Sequence, residues 1–395
     1  MNILVLSFYF RPDLSAGSFR TTALVEALQR VAPPGSQVDV ITTRPNRYQS
    51  YFAHAEPTEA SAGLSIVRIP LRAHKSGMLD QSRAFLAFAR GAIRQVSGRD
   101  YELVYATSSR LMTAALGAHI ATRKKARLYL DIRDIFVDTI RDVMPGKLSW
   151  IFARAFSLLE RRAIRRADKV NLVSAGFADY FRSKYPRQLF SFYTNGIDDE
   201  FMAATPTAPP ARPRDDRPLT IVYAGNIGEG QGLHNVVPRL ANAMGSRVRF
   251  KIIGDGGRKP ALEAALAMMH ATNVELLAPM GRNELIDAYQ GADVLFLHLN
   301  NHVAFKKVLP SKVFEYAALG KPVWAGVAGY AADFVRAEIS NAAVFSPCDV
   351  PDAIRVFGEL TIEDTPRVSF IFKYGRARIS QMLANDVLAV ARGDH

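Results

Sequence analysis

Apolar residues along this chain fall into short, nearly unbroken runs separated by longer stretches with helical spacing. In the first half, ILVLSFYF, QVDVITT, LSIVRIP, LVYATS, RLYLDI and VNLVSA read as strands, and 19–31, 81–96 and 112–124 read as helices between some of them. Strands that are apolar throughout, joined by helical crossovers, imply a parallel sheet covered on both faces. A second series follows: LTIVYAG, RFKIIGDG, VELLA, VLFLHL and PVWAGV. Between the two series, residues 201–218 are rich in proline and charge and have no period, which marks a linker. The expectation is an α/β chain with a first domain at 1–200, a second at 219–365, and a basic helical segment at 366–395 that packs back toward the first. A length of 395 residues supports two cores rather than one. The two halves share no residue-level repeat, so their likeness is one of architecture.

In such sheets, ligands bind where strands end and loops lead into helices. After the first strand comes RPDLSAGSFRTT, where Gly17 lets the backbone approach a ligand and the following helix start favours an anion. After LTIVYAG comes NIGEGQGL, with Gly225, Gly228, Gly230 and Gly232 before a helix. Neither loop fits the phosphate-binding pattern of P-loop ATPases. Their matching places in the two halves predict one central cleft with a substrate held between lobes. The stretch 305–326, FKKVLPSKVFEYAALGKPVWAG, concentrates the most chemistry. Ser311 is placed to cap an apolar helix, Lys312 adds a charge beside the first N–H groups, and Glu315, one turn on, can accept from two ribose hydroxyls. Gly320 and Pro322 close the helix. These residues alone fit an ordinary capped helix as well as a diphosphate-sugar site. At the end of another strand, Asp131, Arg133 and Asp134 offer a carboxylate to orient an acceptor hydroxyl and a guanidinium to hold a phosphate, or an Asp-Arg pair that ties down a loop. Asn195-Gly196 is a turn dipeptide before the linker and reads as a hinge.

Composition narrows this picture. With 49% apolar residues and a mean hydropathy near zero, the chain reads as globular. A single cysteine, Cys348, excludes an internal disulfide framework and suits a reducing compartment. The first ten residues lack the basic start of a secretory leader and are expected to form a buried strand. The longest uncharged apolar run, 111–121, falls short of the roughly 18 residues that span a bilayer. The net charge of +13 is uneven: residues 1–200 hold 29 Lys plus Arg against 18 Asp plus Glu, while 201–395 hold 21 against 19. It is densest at 123–127 and at 147–169. The latter is expected to be a helix with apolar positions at 148, 151, 152, 155, 158, 159 and 163, and with Arg154, Arg161, Arg162, Arg165 and Arg166 off that stripe. Such a helix lies on an anionic membrane, binds a lipid diphosphate, or is a domain helix with hydrated arginines. No D-x-D occurs and Cys348 has no cysteine partner, so no metal site is expected.

With these motifs in order, the chain resembles the retaining glycosyltransferases of family 4, with the GT-B fold, over nearly its whole length. The resemblance rests on the loop through Gly17, DIRD at 131–134, NGID at 195–198, YAGNIGEGQGL at 223–233, GDG at 254–256 and PSKVFEYAALGKPV at 310–323. Within the family it is most similar to bacterial enzymes that add N-acetylated amino sugars, N-acetylfucosamine-type ones included, during O-antigen or capsule assembly. The likeness implies two Rossmann-like domains facing a central cleft, no cofactor, no metal, and a UDP-sugar as substrate. By position, Gly17 would lie near the sugar and diphosphate, and Gly225, Asn226, Gly228, Gln231 and Gly254 would line the diphosphate side. Lys312 would pair with the diphosphate, Glu315 would hold the ribose, and the loop from Pro279 through Met280 and Gly281 to Arg282 would meet the base. Two departures stand out: Lys307 takes a place where many relatives carry Glu, and Asn226 and Gln231 stand where many carry basic groups. The implied reaction moves a sugar, with retention, to a polyprenyl-diphosphate-linked saccharide at the cytoplasmic face of a membrane, which the basic first domain would touch. A UDP-sugar 2-epimerase on the same frame and a non-enzymatic polyanion binder are the rival readings. No helix-turn-helix, RNP motif or zinc finger points to nucleic acid.

Overall fold

The computed structural model describes residues 1–13, 15–45, 55–71, 78–108, 111–135, 148–205 and 217–394. The chain divides into two compact units, Met1–Asn195 with Arg376–His395, and Gly196–Gly375. Most of the expected linker, 206–216, lies outside the described residues, as do 136–139 of the segment after DIRD; residues 199–203 form a short helix of the second unit.

The first unit is built on eight strands in the order β3-β4-β2-β1-β5-β6-β7-β8. These are β1 (Asn2–Leu6), β2 (Gln37–Thr43), β3 (Thr58–Ser61), β4 (Leu64–Ile69), β5 (Leu103–Thr107), β6 (Arg127–Ile132), β7 (Lys169–Leu172) and β8 (Phe190–Ser191). All pair in parallel except β3, a short polar edge strand antiparallel to β4. The apolar runs predicted the six central strands. The edge strands β3 and β8 carry no such run because they are short and only partly buried. Helix α1 (Ala16–Val31) joins β1 to β2. Helices α2 (Met78–Gln95), α3 (Leu111–Lys124) and α4 (Leu148–Arg166) follow β4, β5 and β6. The short α5 (Ala178–Lys184) follows β7.

The second unit opens with α6 (Asp199–Ala203) and holds six parallel strands in the order β11-β10-β9-β12-β13-β14. They are β9 (Leu219–Ala224), β10 (Val248–Ile253), β11 (Val274–Leu277), β12 (Val294–His298), β13 (Val323–Gly326) and β14 (Ala342–Phe345). The helices between them are α7 (Leu233–Met244), α8 (Lys259–Met268), α9 (Arg282–Gln290), α10 (Lys312–Ala318), α11 (Tyr330–Glu338) and α12 (Val350–Phe357). Its core gathers around Trp324, which is fully enclosed, packs 5.2 Å from the Phe296 ring and donates its indole N–H to the Ala353 carbonyl.

The C-terminal segment is not one piece. Helix α13 (Val368–Tyr374) belongs to the second unit, where its Phe370 and Tyr374 rings pack on Phe314. The chain turns at Gly375, and α14 (Arg376–Arg392) belongs to the first unit. There Leu383, Val387 and Val390 join Leu24, Val25 and Leu28 of α1 in one core. Asp386 of α14 accepts from Lys169 at 2.5 Å and from the Tyr129 hydroxyl at 2.7 Å, which fixes the helix on the sheet.

Each sheet reverses its strand order beside its first strand. β1 lies between β2 and β5, and β9 between β10 and β12. In open parallel sheets this reversal opens a crevice beyond the strand ends, and the loops there are the first place to look for a site.

Candidate functional site

In the second unit, the loop after β9 passes in direct backbone contact with the loop after β10. Gly225 donates its N–H to the Ile253 carbonyl at 2.8 Å, and a Cβ on Gly254 would fall 1.9 Å from the Gly225 oxygen. Gly254 has φ of +148°, so only glycine meets both demands. Across the same point reaches Lys312, the first residue of α10: a Cβ on Gly225 would lie 2.2 Å from its ammonium nitrogen. That nitrogen also stands 5.3 Å over the Tyr223 ring, whose hydroxyl donates to the Asn226 carbonyl at 2.7 Å. A full positive charge thus sits on the rim of a glycine loop, where an anion can approach backbone and ammonium together.

The loop itself is held from below by β12. Asn300 donates its N–H to the Gly230 carbonyl at 2.8 Å and its side-chain amide to the Glu229 carbonyl at 3.1 Å. His298, fully enclosed, bonds the Gln231 carbonyl through Nδ1 at 2.6 Å and accepts the Cys348 N–H at Nε2 at 3.0 Å. Those partners require the neutral ring with its proton on Nδ1. Burial pushes the imidazole down to about 4, so it stays neutral at neutral pH. His298 and His302 stand four residues apart, a spacing used by metal sites on helices, yet His298 ends a strand and both its nitrogens are engaged. Among the described residues no group of three or more His, Cys, Asp or Glu side chains is arranged to hold a metal ion.

Asn226 donates to the Gln231 side-chain oxygen at 2.8 Å, with Gly228 packed against the Asn226 amide. These two amides brace one another across the loop. Helix α10 departs from expectation at its start. Ser311 has helical dihedrals (φ −60°, ψ −30°) and its side chain caps nothing. The turn before the helix is already closed by Val313 N–H to the Pro310 carbonyl, and the Ser311 backbone is not in the extended conformation a capping side chain needs. The far end of α10 is fixed by Arg367, which is buried and donates to the carbonyls of Ala317, Lys321 and Ser340. Burial lowers this guanidinium to about 10, with Asp364 opposing. Beside it the enclosed Lys321 pairs with Asp364 at 3.0 Å. Gly320, with φ of +70°, ends the helix as expected.

Glu315 is partly buried one turn beyond Lys312. Burial first, and the Glu315 charge after it, raise the neighbouring Tyr316 hydroxyl above its ordinary range. Met280 and Gly281 lie in the loop between β11 and α9, where Glu284 accepts the Gly281 N–H at 3.1 Å. Arg282 is held by an ion pair to Asp198 and stacks 5.0 Å over the Phe201 ring. Lys306 is exposed and Lys307 half-buried in the 3-10 turn Val303–Lys307.

In the first unit, Gly17 is buried in the first turn of α1, which Ser15 caps by accepting the Ser18 N–H at 3.2 Å. Asp131 requires a correction. Its partner is Arg20 of α1, not Arg133, and its side chain is wholly enclosed. Arg20 meets both carboxylate oxygens at 2.9 Å and also donates to the carbonyls of Tyr193 and Thr194. Asn171 donates to the same carboxylate at 2.7 Å. Burial alone would raise the Asp131 carboxyl, and the guanidinium outweighs it and holds the group below the usual range. Asp131 is therefore an internal support and not a group an acceptor can reach. Arg133 and Asp134 follow at the strand end: Arg133 donates its N–H to Ser108 at 3.1 Å and is partly buried, with Nη1 unpartnered among the described residues, and Asp134 is exposed.

Sequence reasoning passed over Arg20, His298, Asn300 and Arg367. Arg20 had a signal: it stands four residues before Leu24 on the inward face of an apolar helix, where a charge requires a buried partner. His298 and Asn300 had a weaker one, as polar residues at the end of an unbroken apolar strand. Arg367 had none, since its partners are carbonyls far along the chain.

The first half of the chain, residues 17–189, matches the family described as Glycosyl transferase 4-like domain, and residues 205–371 match Glycosyl transferases group 1. A relative in Escherichia coli (strain K12), WcaI, named as a glycosyl transferase of colanic acid biosynthesis, is 26% identical over 345 residues, covering 81% of this chain and 82% of the relative. Among solved structures, WaaG, a glycosyltransferase involved in lipopolysaccharide biosynthesis, superposes with a TM-score of 0.62 at 12% identity over 99% of this chain and 98% of that one. Anabaena Alr3699/HepE in complex with UDP does so with 0.56 at 14% identity, over 100% and 98%. With two parallel-sheet units, a glycine loop crossed by a lysine and these matches along both halves, the chain belongs to the family 4 glycosyltransferases of the GT-B fold.

Proposed function

We propose that the protein transfers a sugar, an N-acetylated amino sugar by its motifs, from a UDP-sugar to a polyprenyl-diphosphate-linked saccharide in the building of a bacterial surface polysaccharide. The observation that carries this reading is the Lys312 ammonium lying across Gly225. When the anomeric bond breaks, negative charge grows on the departing diphosphate, and a cation and N–H groups already fixed in position stabilise that charge more than they stabilise the bound donor. The mutually bonded amides of Asn226 and Gln231 and the anchoring by His298 and Asn300 keep the loop from having to reorganise. Glu315 accepts from the ribose hydroxyls, and the loop at Met280 and Gly281 meets the base through its backbone. The acceptor is assigned to the first unit, with Arg133 and Asp134 near its reacting end. Retention follows from same-face attack in which a leaving phosphate oxygen takes the acceptor proton, so no protein nucleophile forms a bond. The names of WcaI and WaaG support the polysaccharide setting, and the UDP bound by HepE supports the donor class. The work is assigned to the cytoplasmic face of the membrane, where lipid-linked acceptors are built.

The test is thermal stability of the purified protein against UDP-, GDP- and dTDP-sugars, followed by transfer assays with the stabilising donor. A ligand that binds the folded form alone raises the melting temperature. Stabilisation by UDP-sugars and loss of transfer in Lys312→Ala are expected. Turnover of donor without any acceptor would replace this reading with an epimerase, and indifference to every nucleotide sugar would remove it.

A further inference from the structure

The apolar stripe expected for α4 includes Ala155 and Leu158, and the structure leaves both exposed. The buried side of α4 runs through Ala153, Glu160, Ala163 and Ile164. Glu160 is responsible: its carboxylate takes bonds from Lys184 at 2.7 Å, the Tyr185 hydroxyl at 2.9 Å and the Tyr180 hydroxyl at 3.1 Å, so it has to face the protein. That rotation leaves Leu158 67% exposed, with Arg154, Arg161, Arg162 and Arg165 on the same outer side. Arg166, by contrast, is tied inward to the Ala126 carbonyl and the Thr122 hydroxyl.

Helix α2 repeats the arrangement. Leu86 is 48% exposed and Ile93 36%, at helical spacing among the exposed Arg83, Arg90 and Arg94. The two helices share one face of the sheet. The connections β4 to β5, β5 to β6 and β6 to β7 all step the same way along the strand order, so right-handed crossovers put α2, α3 and α4 on a single side. Helix α3 packs on both of its neighbours there. Charge is partitioned in the same sense: the first unit holds 32 Lys plus Arg against 17 Asp plus Glu, a net +15, and the second holds 18 against 20, a net −2. Among the described residues no carboxylate pairs with Arg90, Arg94, Arg161, Arg162 or Arg165.

From this we infer that the outer faces of α2 and α4 together form a docking surface for an anionic lipid bilayer, with Leu86, Ile93 and Leu158 entering the acyl boundary while the flanking arginines meet lipid phosphates. The inference deepens the functional reading above, since it gives the surface by which the enzyme would reach a lipid-borne acceptor. Solubility alone asks for mixed charge, not for one-signed faces with leucines set among the arginines. A nucleic-acid backbone would use the arginines but has no place for the leucines. A headgroup layer uses both, because long basic side chains extend to phosphates while neighbouring apolar groups sit lower.

The experiment is co-sedimentation of the full chain with vesicles of phosphatidylcholine alone and with roughly one lipid in three replaced by phosphatidylglycerol. Binding to the anionic vesicles only, weakening with salt, is expected. Each basic residue near such a surface strengthens partitioning roughly fivefold, so Arg161→Gln, Arg162→Gln and Arg165→Gln together should lower it about a hundredfold. Leu86→Gln with Leu158→Gln, which keeps every charge, should lower it roughly tenfold. Melting temperatures confirm that these surface variants fold. Wild-type protein that ignores anionic vesicles, or variants that bind like wild type, would overturn the inference. So would tighter retention by duplex DNA that the leucine changes do not affect. Lys312→Ala should bind vesicles normally, and the arginine and leucine variants should transfer normally to a water-soluble acceptor. Failure of the docking surface and failure of the transferase reading are thus read separately.

Discussion

The two units reach the same topological point, the reversal of strand order beside the first strand, and fill it in opposite ways. In the first unit α1 sends Arg20 inward to a fully enclosed Asp131, and the guanidinium spends its remaining donors on the Tyr193 and Thr194 carbonyls. In the second unit the same point is occupied by glycine backbone. Glycines bring two loops into backbone contact, and the Lys312 ammonium lies across one of them at the rim, partly buried. A wholly enclosed charge whose donors all end on protein oxygens is a support; a partly buried charge lying across a glycine backbone is one an anion can approach. The difference assigns structure to the first crevice and anion chemistry to the second.

Arg20 is where the two crevices differ most in stability. Arg20→Met keeps most of the volume and leaves Asp131 enclosed without its cation, which should cost about 3–5 kcal/mol of folding stability. Adding Asp131→Leu should recover a large part of that loss. If the single change left urea unfolding unaltered, the buried pair would not be the support described. Lys312→Ala makes the opposite case: stability near wild type, with kcat lower by roughly two to three powers of ten, about 3–4 kcal/mol in the barrier. Steady-state kinetics on purified substrates decide it, and unfolding curves separate it from the Arg20 result. Lys312→Arg should retain part of the rate.

Much of this contrast was legible in the sequence, and the illegible part has a common cause. The central strands were visible because parallel strands are apolar on both faces, Gly225 and Gly320 because turns restrict residue type, and Lys312 because a cation stands at a helix start; Gly254 entered only through the family resemblance. Ser311 misled because a serine before an apolar run satisfies the pattern of a cap whether or not its backbone is extended. Asp131 was offered as a group for the acceptor or as half of a local Asp-Arg pair, and its true partner, Arg20, is near only after the sheet forms. The face of Leu158 was left open by the stripe, because one buried carboxylate, Glu160, sets the rotation of α4 instead.

His298 in the second unit and Asp131 in the first respond to pH in different windows. The folded His298 value of about 4 lies below the ordinary 6.5, so the unfolded chain takes up a proton between those values and the folded chain does not. The stability this group provides is complete above pH 6.5 and is lost as pH falls toward 4, by about 3 kcal/mol. Asp131 acts in a lower window, since its depressed carboxyl is protonated only below the ordinary carboxylate range. Thermal melts from pH 7.5 to 4.5 should therefore show a decline that His298→Gln flattens and Asp131→Asn does not. An unchanged slope in His298→Gln would mean that another group carries it.

Ser311 gives the smallest effect and the cleanest separation of fold from site. A serine that caps a helix typically loses about 1 kcal/mol on replacement by alanine. Here the hydroxyl makes no cap bond and the preceding turn is closed by the backbone, so Ser311→Ala should stay within about 0.5 kcal/mol of wild type. Its neighbour Lys312 is where the diphosphate is proposed to rest, so a hydroxyl that caps nothing can still touch a bound donor. That contact would appear as a rise in donor KM with the melting temperature unmoved. A fall of several degrees in Tm would instead show that the hydroxyl caps after all, and that the amino end of α10 is organised as the sequence pattern first implied.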